Sequence, residues 1–136
     1  MANISAYLQK AVLDWIGGAA TPTQPGQRWA ALSIGTPTST NFTGSEPGGA
    51  AANTGYSRQT VLFGAAASPA GSMSNTAAIT FGTFSLSMAI QGAALLETAS
   101  VSSGSLLLFG TLATARTVLP GDTLTFAAGQ FLATLS

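Results

Sequence analysis

The sequence has no cysteine and no histidine. The first absence excludes disulfides and thiolate chemistry and leaves the redox compartment open. The second removes the side chain that titrates near neutral pH, which is also the commonest metal ligand. Histidine-based serine or cysteine triads are excluded with it. Charge is scarce as well. Four Lys/Arg against four Asp/Glu give a net charge of zero, and charged residues make up 6% of the chain. A typical soluble domain carries about 25%. Near-zero net charge favours association. The composition therefore points to a protein that works packed against others, or else to a small domain whose surface is covered by Ser, Thr and Asn.

Long apolar runs are missing too. The mean hydropathy is +0.41, yet Gly, Ser and Thr break every run well short of the roughly 18 residues a spanning helix needs. No membrane partner is expected. The first twenty residues lack a basic start, and Lys10 and Asp14 interrupt any apolar stretch, so a signal peptide is not expected and assembly in a cytoplasm is. Lys10, Arg28, Arg58 and Arg116 are scattered. Without a basic run, nucleic acid is not an expected partner.

Catalysis has few places to reside. Asp14, Glu46, Glu97 and Asp122 each stand alone in the sequence, whereas a glycosidase needs two carboxylates facing one bond. Clustered oxygen ligands for calcium are absent, and so are glycine-rich phosphate loops. Asp122, in "PGDT", reads as a turn residue bonding its own backbone. No catalytic residue, cofactor or metal is expected, and the chain is not expected to be an enzyme.

What the chain does have is pattern. Ile4, Tyr7, Leu8, Ala11, Val12 and Trp15 recur at three- and four-residue spacing, which predicts a helix over Asn3–Ile16 with one apolar face. Asn3 or Ser5 can cap its start, and Gly17-Gly18 can end it. That face packs on the chain's own core or docks on a neighbouring subunit. After the turn-rich "TPTQPGQ", the stretch "RWAALSIG" alternates as a strand does, with Ala30, Leu32 and Ile34 opposed to Trp29, Ala31 and Ser33. Residues Thr36–Thr54 carry no period. A loop this long is usually functional or mobile, so it is the best candidate for an arm reaching a partner.

From residue 55 onward the pattern is β. "YSRQTVLF" (56–63), "SNTAAITF" (74–81), "SLSMAIQGAALL" (85–96), "SLLLFGTL" (105–112), "DTLTFAAG" (122–129) and "QFLATLS" read as strands separated by "SPAGS", "SSGS" and "LPGD". "SLLLFGTL" is apolar enough to be buried on both faces. Short strands spaced by Gly/Pro turns predict a mainly β fold, a single β-sandwich or jelly-roll with a short N-terminal α-helix. The expected organisation is one structural domain, with the helix in residues 1–20 and the sandwich in 21–136. In "GYSRQTVLFG", alternation puts Tyr56, Arg58, Thr60 and Leu62 on one face and Ser57, Gln59, Val61 and Phe63 on the other. Arg58 then reads as a pin whose fixed fork bonds carbonyls or a carboxylate, closing either its own sandwich or a subunit interface.

The order of helix, strand, "GYSRQTVLFG", "SNTAAITFG", "GSLLLFGTL" and "LPGDTLTFAAGQFLATL" resembles a family of small tailed-bacteriophage virion proteins, often labelled tail fibre proteins. The similarity is to G-Y-x-R-Q-x-V-x-F, S-N-x-x-x-I-x-F, N-L-L-x-x-G-x-L and G-D-x-x-x-F-x-A-G, over most of Arg28–Ser136. The chain departs from it between Phe84 and Glu97, where the family's aromatic-rich, His-containing strand is replaced by "SLSMAIQGAALLE", and in the loop 36–54, where apart from Glu46 the acidic residues often found there are missing. The resemblance implies a β-sandwich located in the virion.

Three functions are then in view. The first is a capsid decoration (cement) protein, expected as a homotrimer, clamping the major capsid protein. The second is a small tail-fibre, collar or baseplate accessory that joins other virion structural proteins. The third, from another class, is a carbohydrate-binding β-sandwich with Trp29 as its platform. Candidate interface residues are Tyr7, Leu8, Trp15, Trp29, Phe42 and Arg58.

Overall fold

The fold comes from a computed structural model that describes residues 3–40, 42, 46–47, 54–68, 71–101 and 103–134. A short strand β1 (Asn3–Ile4) leads into helix α1 (Ala6–Ile16). The strands β2 (Trp29–Ser33), β3 (Gln59–Thr60), β4 (Ser72–Ser74), β5 (Ile79–Phe81), β6 (Met88–Leu96), β7 (Leu106–Val118), β8 (Leu124–Phe126) and β9 (Leu132–Thr134) follow. Five of them form one sheet in the order β1-β7-β6-β2-β3, and β4-β9 and β5-β8 form two-stranded ribbons. Every pairing is antiparallel. The fold is mainly β with one short N-terminal helix, as the strand spacing predicted.

The ribbons cover one face of the large sheet. Ala30 and Leu32 of β2, Ile90 and Leu95 of β6 and Leu107, Leu108 and Val118 of β7 share a core with Ile79 and Phe81 of β5 and Ala133 of β9. Stacked or edge-on rings run through this layer from Tyr56 to Phe81, Phe126, Phe131 and Phe63. A second, smaller cluster lies on the sheet's other face, where Phe42 covers Ala31, Ala94, Leu96 and Leu106. The sheet's middle is thus apolar on both sides, which explains why "SLLLF" shows no alternation.

Several strand boundaries differ from the periodicity. "SNTAAITF" is not one strand, because buried Asn75 turns the chain between β4 and β5. Its Nδ2 donates to the Ala77 and Ala127 carbonyls at 2.7 and 3.0 Å, and its Oδ1 accepts from Phe131 N–H at 2.8 Å. One side chain therefore clasps the turn between β8 and β9. Of "YSRQTVLF", only Gln59–Thr60 pairs with β2. Tyr56 and Arg58 do share a face, but Val61 is buried while Thr60 and Leu62 are exposed. Alternation fails there because the segment leaves the sheet after two residues. Asp122 accepts from Leu119 N–H at 2.9 Å, the turn role read from "PGDT".

Helix α1 begins later than the spacing suggested. Asn3 pairs with Phe109 in β1. Ser5 is the cap, and its Oγ accepts from Leu8 N–H at 3.1 Å. Ser5 is anchored in turn by its own N–H to the Leu107 carbonyl at 3.0 Å. Gly17 N–H returns to the Leu13 carbonyl, and Gly18 takes a positive φ, which ends the helix as the sequence indicated.

Candidate functional site

Two features of the described residues concentrate polar or apolar surface beyond what the core needs. One is a buried polar cluster on Arg58. The other is the surface of α1.

The cluster begins at Gly55, whose φ of +72° and position 1.9 Å from the Thr83 carbonyl oxygen, measured to a would-be Cβ, leave no room for a side chain. That close approach aims Tyr56 and Arg58 inward. Arg58 and Glu46 are 4% and 3% exposed. Arg58 Nε donates to Glu46 Oε1 at 2.7 Å, and Nη2 donates to Oε2 at 2.8 Å. Nη1 donates to the carbonyls of Thr98 and Ser103 at 2.8 and 2.9 Å. The Tyr56 hydroxyl donates to Glu46 Oε1 at 2.7 Å and accepts from Leu32 N–H at 3.0 Å. It stands in for a neighbouring strand where β3 has already ended. Burial, reinforced by the Glu46 negative charge, pushes the Tyr56 phenol far above its ordinary value, so it stays a neutral donor.

This arrangement spans three segments distant in sequence: the loop bearing Glu46, the Tyr56–Arg58 stretch and the β6–β7 connection. A planar guanidinium suits it because its donors are fixed in direction and serve a bidentate carboxylate and carbonyls together. All buried side-chain polar atoms among the described residues have partners. The carboxylate faces a guanidinium and a phenol, with no open side for a reacting group. The cluster therefore holds the fold.

Helix α1 is the opposite case. None of its residues is buried. Tyr7, Leu13, Trp15 and Ile16 are 52%, 67%, 59% and 71% exposed, and Val12 is exposed as well. Only its first half is anchored, with Leu8 and the preceding Ile4 packed against the main core. Lys10 and Asp14 form an ion pair along one side, so the helix satisfies its own charges and leaves the rest apolar.

Of the six interface candidates, Tyr7 and Trp15 lie on this surface and Leu8 lies at its root. Trp29 is half-buried in β2, opposite Thr60 and Leu96. Phe42 requires correction as an interface residue because it is inside the chain, and Arg58, also inside, takes the first of its two readings, the pin that closes its own sandwich. Phe42 closes the second core cluster, and the Arg58 fork is spent on Glu46 and two carbonyls. Glu46, isolated in the sequence, is the carboxylate Arg58 needs. It also alters the reading of Thr36–Thr54 as an arm. Phe42, Glu46 and Pro47 are buried, while residues 41, 43–45 and 48–53 lie outside the described residues. Val12, on the face read from the spacing, is exposed, and Leu13 and Ile16 add exposed apolar surface that the spacing did not single out. Their signal was present, because apolar side chains at 7, 8, 11, 12, 13, 15 and 16 occupy more of the helix circumference than one packed face can take.

The chain matches the model of the family described as podophage GP4 fiber I protein gp80 over residues 3–134. It belongs to that family. The Gp80 match spans α1, the sheet and both ribbons, so the resemblance to phage virion structural proteins of the fibre type extends to the whole described fold. No individual curated protein matches the chain. Within the Gp80 frame, "GYSRQTVLF" supplies the Arg58 cluster, "SNTAAITF" supplies Asn75 and the ribbon strand β5, and "GDTLTFAAG" supplies the turn and ring that face them. These motifs position structure. No helix among the described residues is long and apolar enough to cross a membrane.

Proposed function

We propose that this virion protein is a tail-fibre-type accessory subunit that joins virion components by protein–protein contact, with α1 as its attachment element and with no catalytic role. The observation that carries this reading is the apolar, self-neutralised surface of α1 on an otherwise folded sandwich. An exposed Leu13–Trp15–Ile16 group has no function in the isolated chain, and large exposed apolar patches mark interaction sites. The family's description as a fibre protein favours the tail. Burying the helix on a partner adds apolar area at about 25 cal/mol per Å² before the entropy of association is subtracted.

A second reading, capsid decoration with the major capsid protein as partner and a trimer as the unit, is favoured by one observation. The described residues form a sandwich with no repetitive shaft. Copy number in purified particles tests both. The tail reading predicts a number set by the tail's symmetry, and decoration predicts one near the number of capsid lattice positions. Absence of the protein from particles refutes both.

A further inference from the structure

The surface of α1 has a counterpart elsewhere on the same chain. Between the large sheet and the ribbons the sandwich does not close fully. A cavity of about 230 Å³, lined in part by Leu112, Ala113, Phe126, Phe131 and Leu132, opens at this flank. It continues into a second hollow of about 410 Å³ that shares Leu112, Ala113 and Phe126 and reaches Arg116. Leu112, Phe126 and Phe131 pack on the core with one side and remain partly exposed on the other. Leu132 is exposed outright. The cause lies in β7. Gly92 pairs with Thr111 and Ile90 with Arg116, so residues 112–115 bulge away from Gln91 and lift the strand off its neighbour.

We propose that this trough receives helix α1 of a second copy of the chain, with Trp15 as the inserted side chain. Three observations fit the occupant. An apolar cavity of about 150 Å³ takes up benzene, so one of about 230 Å³ is the right scale for an indole. Trp15 remains largely exposed in its own chain, so it does not fill its own trough. The charges also agree. Arg116 has no carboxylate partner among the described residues. The last turn of α1 carries no basic residue, so the negative end of its dipole favours a cation nearby. The exposed apolar side chains of α1 together present on the order of 500 Å², short of the ~800 Å² per partner of a standard interface. An interface of this size is at the weak end, so association is expected to need high concentration.

Knob and hollow are different surfaces of one molecule: no residue of α1 lines the trough, which runs along β7 from Leu108 to Ala113 and onto the ribbons. Their union is a two-fold dimer if both helices insert reciprocally, and otherwise a head-to-tail ring or filament. The proposal rests on the reading of α1 as an attachment element and names its partner. It fails separately, because it is tested in solution and the attachment role is tested on particles.

The test uses the full chain in two variants. Trp15→Ser removes the knob. Ala113→Trp fills the trough from an exposed position, with Leu132→Arg as a second block should the first disturb packing. Folding of each is checked by urea unfolding, and mass by analytical ultracentrifugation. Wild type is expected to associate with rising concentration, and each variant alone to remain a monomer. An equimolar mixture of the helix-blocked and trough-blocked chains should form a species of one copy of each and stop there, since each retains one working half. The proposal is overturned if wild type is monomeric throughout, or if the trough-blocked chains associate like wild type, which would mean α1 meets α1. It is equally overturned if the mixture does not form the paired species.

Discussion

Replacing Arg58 with methionine removes the charge and keeps most of the side chain's bulk. In wild type the guanidinium makes two bonds to Glu46 and one each to the Thr98 and Ser103 carbonyls, with both charged side chains fully buried. The variant takes the guanidinium away from the buried Glu46 carboxylate, whose bond from the Tyr56 hydroxyl remains. Breaking one side of a buried ion pair costs about 3–5 kcal/mol. Against a total stability of about 5–15 kcal/mol, that is a large share. At a urea m-value of about 2 kcal/mol/M, the midpoint should fall by about 2 M. The double variant Glu46→Leu/Arg58→Met removes both charges, so it should recover part of the loss, and the coupling energy should exceed about 1 kcal/mol. If Arg58→Met alone shifts stability by less than about 1 kcal/mol, the pin reading is wrong and the pair is no more than a solvated surface contact.

Further expectations follow from the same geometry. The raised Tyr56 phenol holds its proton in the folded chain while an unfolded tyrosine loses it near pH 10. The wild type should therefore lose up to about 1.4 kcal/mol of stability per pH unit from this group as the pH rises above about 10. A Tyr56→Phe chain, compared by urea titration over the same range, should lack that component and should be weaker at neutral pH by about 1–3 kcal/mol, because Leu32 N–H loses its acceptor. Phe42→Ala should cost about 3–5 kcal/mol in thermal or urea unfolding, since the ring covers the second cluster. A cost under about 1 kcal/mol would show that Phe42 is not part of the core. Asn75→Ala should loosen the β8–β9 turn, seen as faster amide exchange at Phe131 while β2 and β6 keep their protection. Unchanged exchange there would contradict the clasp.

The fold class was legible because strands and turns are local signals. Gly/Pro punctuation marked the strand ends, and the unbroken apolar run around Leu106–Leu108 correctly indicated a strand covered on both faces. Asp122 was readable for the same reason, since its hydrogen bond stays within its own turn. The Arg58 cluster was only half legible. A lone arginine between apolar residues announced a pin, but its carboxylate lies twelve residues away inside an aperiodic loop, and no local rule pairs them. Asn75 was invisible for a related reason, because its partners Ala127 and Phe131 are distant in sequence. Spacing on α1 marked an apolar stripe and left open what covers it; the helix is tethered by Ser5 and Leu8 and leaves the remainder outside. Periodicity reports which side chains share a face. It does not report whether the chain itself supplies anything to cover that face.

The attachment role of α1 is tested most directly on assembled particles. A phage lacking this gene product is supplied with a chain carrying Leu13→Ser, Trp15→Ser and Ile16→Ser, three exposed positions whose loss leaves both core clusters intact. The purified virions are then assayed for the protein. The expected result is a chain with wild-type unfolding behaviour that is missing from the particles. Incorporation at the wild-type level would contradict the claim that this helix fastens the protein to the virion.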